Sequence, residues 1–162
     1  IQCAGVRSAT GSWALGIQSA GVGACIGAAP QNDCISNAAP VPLSPRPWNT
    51  TGSTVGATNE SGEPAACSNS GSSIWYQLAQ SAVGRTTTLD LTGSTFDTVL
   101  SVHTGTMGSM ASVACNDDIS GTNFQSRLSF SQLAGVVYYV RVAGFAQPGA
   151  SAAEGTVQLK VT

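Results

Sequence analysis

Charged side chains are scarce in this sequence, and only 9% of its 162 residues are Asp, Glu, Lys or Arg. Lys160 is the sole lysine, His103 is the sole histidine, and the formal net charge is -2. A nucleic-acid-binding surface is excluded, because neutralising phosphates requires clustered lysine and arginine. Chemistry that needs several histidines is excluded as well. Charge-driven disorder is not expected either, since 42% of the residues are hydrophobic.

Long apolar runs and long helical periods are also missing. The longest uncharged run, residues 8–32, is interrupted by Gly, Ser, Thr and Gln and lacks the sustained apolar character of a membrane span. From residue 54 onward, short alternating segments such as 86–92 and 98–103 are separated by turns rich in Gly, Ser and Pro. This pattern predicts an all-β fold, an antiparallel β-sandwich or jelly roll of about seven to nine strands.

Residues 1–31 carry a single charge, that of Arg7, and are rich in Ala, Gly and Val. Large apolar residues alternate there with smaller ones in two short strand-like stretches. We predict that the following residues form an assembly surface: Trp13, Leu15, Ile17, Val22 and Ile26. Two such strands are not stable alone, so we expect an extended N-terminal arm that adds strands to a sheet. That sheet belongs either to the arm's own domain, residues 32–162, or to a neighbouring copy.

The cysteines are Cys3, Cys25, Cys34, Cys67 and Cys115. They show neither a CxxC motif nor a Cys/His spacing typical of zinc sites. Disulfide bonds are therefore the favoured interpretation, and they indicate an oxidising, extracellular compartment. Because the count is odd, one cysteine is free, buried or bonded to another chain.

Several motifs follow one another in a recognisable order from residue 32 onward. They are Asn32-Asp33-Cys34, Cys67, Ser73-Ile74-Trp75-Tyr76, FDTVLSV at 96–102, CNDD at 115–118, and the apolar run at 134–145. With these motifs, residues 32–162 resemble the bacterial pre-peptidase C-terminal domain family, a secreted β-sandwich appended to many exported enzymes and surface proteins. The FDTVLSV and CNDD pair is the most specific part of the resemblance.

The resemblance implies a non-catalytic module, because family members lie beside peptidase domains and some relatives in secreted collagenases bind matrix and calcium. It also implies a disulfide between Cys34 and Cys67, which occupy motif positions of the family. Many relatives carry a further cysteine shortly before the CNDD motif, whereas this sequence has Met107-Gly108-Ser109-Met110 there. We therefore expect Cys115 to bond with the arm, through Cys3 or Cys25, within one chain or between two.

The densest group of hard oxygen ligands is Asp97, Asn116, Asp117 and Asp118. If the turn before residue 98 lies beside the 116–118 loop, the carboxylates converge and need a cation or backbone donors. One interpretation is a calcium site, with Glu63 as an additional ligand. The other is that Asp97 and Asp117 accept hydrogen bonds from turn N–H groups and hold the loop closed.

Catalysis is not expected. His103 lies in an alternating apolar segment, which is typical of a structural side chain, and the sequence has no G-x-S-x-G motif. Asp97-Thr98 is followed by Val99 and lacks the glycine of aspartic peptidases.

Aromatic residues and sequons complete the candidate surface features. We expect Trp75 and Tyr138 to fill the sandwich, whereas Trp13 and Trp48 either anchor a partner or cover a sheet edge. Two Asn-X-Ser/Thr sequons are present, at Asn49 and Asn59. They are either glycosylation acceptors, in a source that glycosylates, or chance occurrences in a Ser/Thr-rich chain.

Together these observations predict a secreted, non-catalytic structural or adhesive protein. In the favoured hypothesis, the arm of one copy adds strands to the next copy head to tail and builds a fibre. Such a protein binds itself and has no nucleic-acid partner and no membrane span. The alternative is a substrate-binding accessory module of a secreted hydrolase such as a peptidase, with extracellular matrix or polysaccharide as its partner.

Overall fold

The structure is a computed structural model that describes residues 29–162. The five predicted assembly residues of the arm, which include Trp13, and the cysteines Cys3 and Cys25 lie outside the described residues. The division of the chain into residues 1–31 and 32–162 therefore stays a prediction.

The described residues form a short 3-10 helix, Ile35–Asn37, followed by nine strands in two sheets. The strands are β1 Ala39–Val41, β2 Trp48–Ser53, β3 Ser70–Leu78, β4 Arg85–Asp90, β5 Thr98–Thr104, β6 Ala111–Asn116, β7 Arg127–Gln132, β8 Tyr138–Phe145 and β9 Thr156–Val161. One sheet has the order β1-β3-β8-β5-β6 and the other β2-β9-β4-β7. The predicted all-β sandwich is confirmed. No helix within residues 29–162 is long and apolar enough to cross a membrane.

The main core lies between the two sheets, where alternate residues of each strand turn inward. In β9, for example, Val157, Leu159 and Val161 are buried and the residues between them are exposed. The rings of Phe130 and Tyr138 pack in this core with their centroids 5.1 Å apart. Because each strand hides only one face in this layer, the alternation visible in the sequence is sufficient to locate β4, β7 and β9.

The outer face of the five-stranded sheet is buried as well. Ile74 and Tyr76 belong to the main core, so Trp75 between them points to the opposite face, where its ring centroid lies 6.1 Å from that of His103. Arg141 is also buried there. The expectation that Trp75 fills the sandwich is therefore wrong, whereas Tyr138 does lie in the main core.

Residues 29–38 and 54–69 hydrogen-bond to the backbone of β3 beside this outer face. The Asn32 carbonyl accepts a hydrogen bond from the Trp75 N–H at 2.8 Å, and the Thr58 carbonyl accepts one from the Ser73 N–H at 3.3 Å. The two segments are also joined to each other, because the Asp33 carboxylate accepts hydrogen bonds from the Thr58 N–H and hydroxyl at 2.6 and 2.8 Å. Trp75, His103 and Arg141 on the outer face are buried, so both faces of the sheet are shielded from water.

The first two strands are not among those that the sequence pattern indicates. β1 contains Pro40 and runs parallel to β3, the one parallel pair among the described strands. β2 has the sequence WNTTGS, which resembles a polar turn, yet all six residues pair with β9. Ladder hydrogen bonds come from the backbone, so an edge strand needs no apolar alternation of its own.

Candidate functional site

Three carboxylates converge at one end of the sandwich. Asp97 directly precedes β5, and Asp117 and Asp118 directly follow β6. Because β5 and β6 are antiparallel neighbours, the start of one lies beside the end of the other. One side-chain oxygen from each residue lies within 4.8 Å of the other two. The structure thus brings together three of the four predicted calcium ligands, which we call the acidic cluster.

The loop after β6 is held by hydrogen bonds that do not use the carboxylates. Asn116 Oδ1 accepts a hydrogen bond from the Arg127 N–H at 2.8 Å, and Asn116 Nδ2 donates to the Asp118 carbonyl at 3.1 Å. The Ser126 hydroxyl donates to the Asp117 carbonyl at 2.6 Å. Asn116, the fourth predicted ligand, therefore fixes the loop that carries the acidic cluster.

The negative charges of the acidic cluster repel one another and are not fully balanced by hydrogen-bond donors. Burial raises the pKa of Asp97, and the charges of Asp118 and Asp117 raise it further. Burial and the charge of Asp117 likewise raise the pKa of Asp118. Within the part of the chain that the structure describes, the buried Oδ1 atoms of Asp97 and Asp117 accept no hydrogen bond. These two oxygens therefore do not accept the turn N–H hydrogen bonds by which Asp97 and Asp117 were expected to hold the loop closed.

The donor set of the acidic cluster suits a hard cation. Calcium prefers carboxylate and carbonyl oxygens and tolerates irregular geometry, whereas Zn²⁺ at structural sites favours Cys and His. Three converging carboxylates with two unpaired oxygens match the first of these preferences. Calcium binding stays a prediction.

Glu63 is not a member of the acidic cluster. Its Oε2 accepts a hydrogen bond from Arg141 Nε at 2.8 Å, and its Oε1 accepts one from the Ser73 hydroxyl at 2.8 Å. The side chains of Arg141 and Glu63 are only 4% and 7% exposed. The expectation that Glu63 is an additional calcium ligand is therefore wrong, because its carboxylate neutralises a buried guanidinium.

One hydrogen-bonded Ser–His pair has the composition of a nucleophile and its base. His103 Nε2 lies 2.8 Å from the Ser101 hydroxyl oxygen. Both residues are fully buried, and burial, together with the charge of Arg141, lowers the pKa of His103 to about 4. A nucleophile must reach its substrate, and this pair does not reach the surface. Ser101 and His103 are structural side chains of β5.

The described disulfide joins Cys67 to Cys115, which are 48 residues apart. It connects residues 54–69 to the edge strand β6. Cys34 is buried and is itself disulfide-bonded, so it is not the partner of Cys67. The predicted Cys34–Cys67 pair is therefore wrong, and so is the predicted bond from Cys115 to the arm.

The physical reason for this disulfide pairing is the path of residues 54–69. Before β3 begins, this segment bonds to Arg141 of β8 through Glu63 and reaches β6 at the far side of the sheet. The order of motifs along the chain does not reveal such a crossing. The pairings of Cys3 and Cys25 lie outside the described residues.

The remaining surface predictions fall on β2 and on residues 54–69. Asn49 and Asn59 are both exposed, and their glycosylation stays a prediction. Trp48 is half-buried and packs against the main core, so it covers the core at this edge.

Two shallow cavities open on the described surface. One, of about 530 Å³, is polar and is lined by residues 59–60, 62–70 and Arg141. The other, of about 520 Å³, is more apolar and is lined by residues 40–42, 77–80 and Val137.

Comparisons with known proteins gave a match among solved structures. No protein-family model and no curated protein matches this sequence. A solved structure that matches is the pre-peptidase C-terminal domain of a collagenase from Bacillus anthracis, with a TM-score of 0.47 and 16% sequence identity. The match covers 77% of this chain and 94% of that chain. This is the family that the sequence motifs resemble.

Proposed function

We propose that this chain is a non-catalytic accessory module of a secreted protein and that it binds an insoluble extracellular substrate such as collagen or polysaccharide. The observation that carries the proposal is the acidic cluster, a set of uncompensated carboxylates on a loop at one end of the sandwich. Binding groups commonly lie on loops that a stable scaffold positions. The resemblance of residues 32–162 to the pre-peptidase C-terminal family supports the same role.

Two further features favour this function over an intracellular or enzymatic one. The Cys67–Cys115 disulfide is of a kind that persists in oxidising compartments. The Ser101–His103 pair, which has the composition of a nucleophile and base, is fully buried. Secretion and the absence of catalysis are therefore parts of the proposal.

Calcium held by Asp97, Asp117 and Asp118 is the second part of the proposal. Burial and the repulsion of like charges raise the pKa values of Asp97 and Asp118, and a bound cation would neutralise those charges. These residues would then fasten the end of β6 to the start of β5. Asn116 keeps the loop in place with its own hydrogen bonds.

Thermal unfolding with calcium and with a chelator tests the calcium site. We expect calcium to raise the melting temperature of the full chain, because a ligand that binds the native state stabilises it. Asp117→Asn should abolish the shift and raise the melting temperature without calcium, since it removes a repelling charge. Glu154→Gln, which alters an exposed carboxylate outside the acidic cluster, is the matched control and should retain the shift. An unchanged melting temperature on chelation would contradict the calcium site.

Pull-down on insoluble collagen and polysaccharide tests the binding function. We expect the full chain to be retained on one of these matrices at physiological salt. If calcium organises the binding surface, Asp117→Asn should be retained less than the parent protein, whereas Glu154→Gln should behave like the parent. Failure to bind any matrix would contradict the accessory-module proposal.

A second candidate function is self-assembly through residues 1–31, which would make the chain an adhesive or fibre-forming subunit. The observation that favours it is β2, a regular and uncharged edge strand of the four-stranded sheet. Such an edge is a template for another strand. Sedimentation and electron microscopy of the full chain test this function, and monodisperse monomers at high concentration would exclude it.

A further inference from the structure

On one side of the sandwich, the five-stranded sheet extends one strand further than the four-stranded sheet. On the opposite side the edge strands β6 and β7 contact each other. β2 faces β3, because the side chains of Ile74 and Tyr76 from β3 lie against Gly52 of β2. β1 continues the five-stranded sheet beyond β3. Within residues 29–162, the four-stranded sheet has no strand beyond β2 to match β1.

β2 also lacks the features that usually protect a sheet edge. Its register with β9 is unbroken over six residues, and it contains neither a charge nor a proline. The other three edges are protected: β1 contains Pro40, β6 has an irregularity in its pairing with β5, and β7 begins with Arg127. Among the described strands, β2 pairs with β9 alone. Regular, uncharged edges of this kind accept further strands.

The arm contains a segment whose alternation matches that of β2. Residues 12–18 read SWALGIQ, with a large apolar residue at every second position and no charge. In β2 the half-buried positions 48, 50 and 52 alternate with the exposed positions 49 and 51. A strand beside β2 continues the same pleat, so Trp13, Leu15 and Ile17 would extend the buried side. The small and polar residues between them would face solvent.

We propose that β2 is the acceptor edge for a tenth strand, formed by residues 12–18 of a neighbouring copy. This inference rests on the second candidate function and names the surface through which the chain would assemble. Residues 19–28 link the donor segment to the described domain and span up to about 33 Å when extended. If Cys25 is the partner of the disulfide-bonded Cys34, the link shortens to residues 19–24, which span up to about 20 Å. Both lengths exceed the distance of about 10 Å between packed sheets, so the link does not confine the donor segment to its own molecule.

Charge on the inward side of β2 should block the proposed pairing. Thr50 is half-buried at a free edge, so a lysine side chain at this position can still extend to water in the monomer. A strand added beside β2 would cover the lysine and bury its charge. We expect Thr50→Lys to raise the concentration needed for assembly at least tenfold. Thr51→Lys is the matched control, because Thr51 lies on the exposed side of the same strand and should assemble like the parent protein.

Mixing two defective full-length variants provides the decisive measurement. Leu15→Asp should lose the donor strand but keep β2, whereas Thr50→Lys should keep the donor strand but lose the acceptor. Each variant alone should sediment as a monomer, and an equimolar mixture should form dimers and nothing longer. Melting temperatures of both variants, measured first, establish that they are folded.

The outcomes separate the inference from the function on which it rests. If the parent protein is monomeric at all concentrations, self-assembly itself fails, as it would if the arm paired within its own molecule. If the parent assembles and Thr50→Lys assembles equally well, self-assembly stands but β2 is not the acceptor. If both folded variants are monomeric yet their mixture forms no dimer, the pairing of residues 12–18 with β2 is also refuted.

Discussion

Replacing Cys67 and Cys115 together with serine should destabilise the protein by about 4 kcal/mol. The bond joins residues that are 48 positions apart. Closing a loop of this length lowers the entropy of the unfolded chain by an amount worth about 4 kcal/mol at 25 °C. The corresponding fall in melting temperature is on the order of 15 °C for a domain of this size. Cys67 is exposed, so little packing is lost with it and the unfolded state should dominate the effect.

Urea unfolding without reductant measures this loss, because the disulfide that includes Cys34 then remains intact. The double variant should also show a larger m-value, since an unfolded chain without the bond exposes more surface. Ser68→Ala changes the neighbouring residue without touching the bond, and its stability should stay within about 0.5 kcal/mol of the parent.

Peptide mapping checks the connectivity on which this magnitude depends. Cleavage after Glu60 and after the arginines places the three described cysteines in different fragments. Cys67 lies in fragment 61–85, Cys115 lies in fragment 86–127, and Cys34 lies before residue 61. We expect fragments 61–85 and 86–127 to remain joined without reductant. A bond from fragment 61–85 to the fragment with Cys34 would refute the pairing, and a loss under about 1 kcal/mol would refute the entropic reasoning.

Substitutions at His103, Glu63 and Gly144 test the buried layers. Burial lowers the pKa of His103 in the folded state from 6.5 to about 4. The neutral ring therefore stabilises the fold fully above pH 6.5, and this stabilisation is lost as the pH falls towards 4. His103→Gln should therefore remove about 2 kcal/mol of the stability difference between pH 7 and pH 4.5 in urea unfolding, and an unchanged difference would contradict this. Glu63→Gln should cost about 3–5 kcal/mol, because it leaves the Arg141 charge buried without its partner, and Glu63→Gln combined with Arg141→Met should recover part of that loss. Gly144→Ala should destabilise by about 3 kcal/mol, because its methyl group would overlap a backbone carbonyl, whereas Gly121→Ala, with open space around it, should be close to neutral in thermal unfolding.

Alternation of apolar and polar residues locates a strand clearly only when that strand buries one face. β4, β7 and β9 each bury one face, and their alternation is plain in the sequence. β5 is buried on both faces, so alternation does not tell which of its residues lie in the main core. The same ambiguity explains the misplacement of Trp75, whose burial was expected but whose face was not.

The acidic cluster was accessible from the sequence, whereas the contacts of residues 54–69 were not. Asp97 and Asp117 flank β5 and β6, and a hairpin of neighbouring antiparallel strands necessarily brings those positions together. Glu63 and Cys67 belong to an irregular segment, and no periodicity indicates where such a segment runs. Its ion pair with Arg141 and its bond to Cys115 therefore emerged only from the fold.

Local pattern alone predicted that this chain forms a β-sandwich, that Asp97 can meet the 116–118 loop, and that His103 is structural. These properties depend on alternation and on adjacent strands, so they are written into short stretches of sequence. Only the tertiary structure decided that Cys67 pairs with Cys115, that Glu63 neutralises Arg141, and that β2 is an edge strand. Those outcomes depend on contacts between residues far apart in the chain, and only the packed sheets bring such residues together.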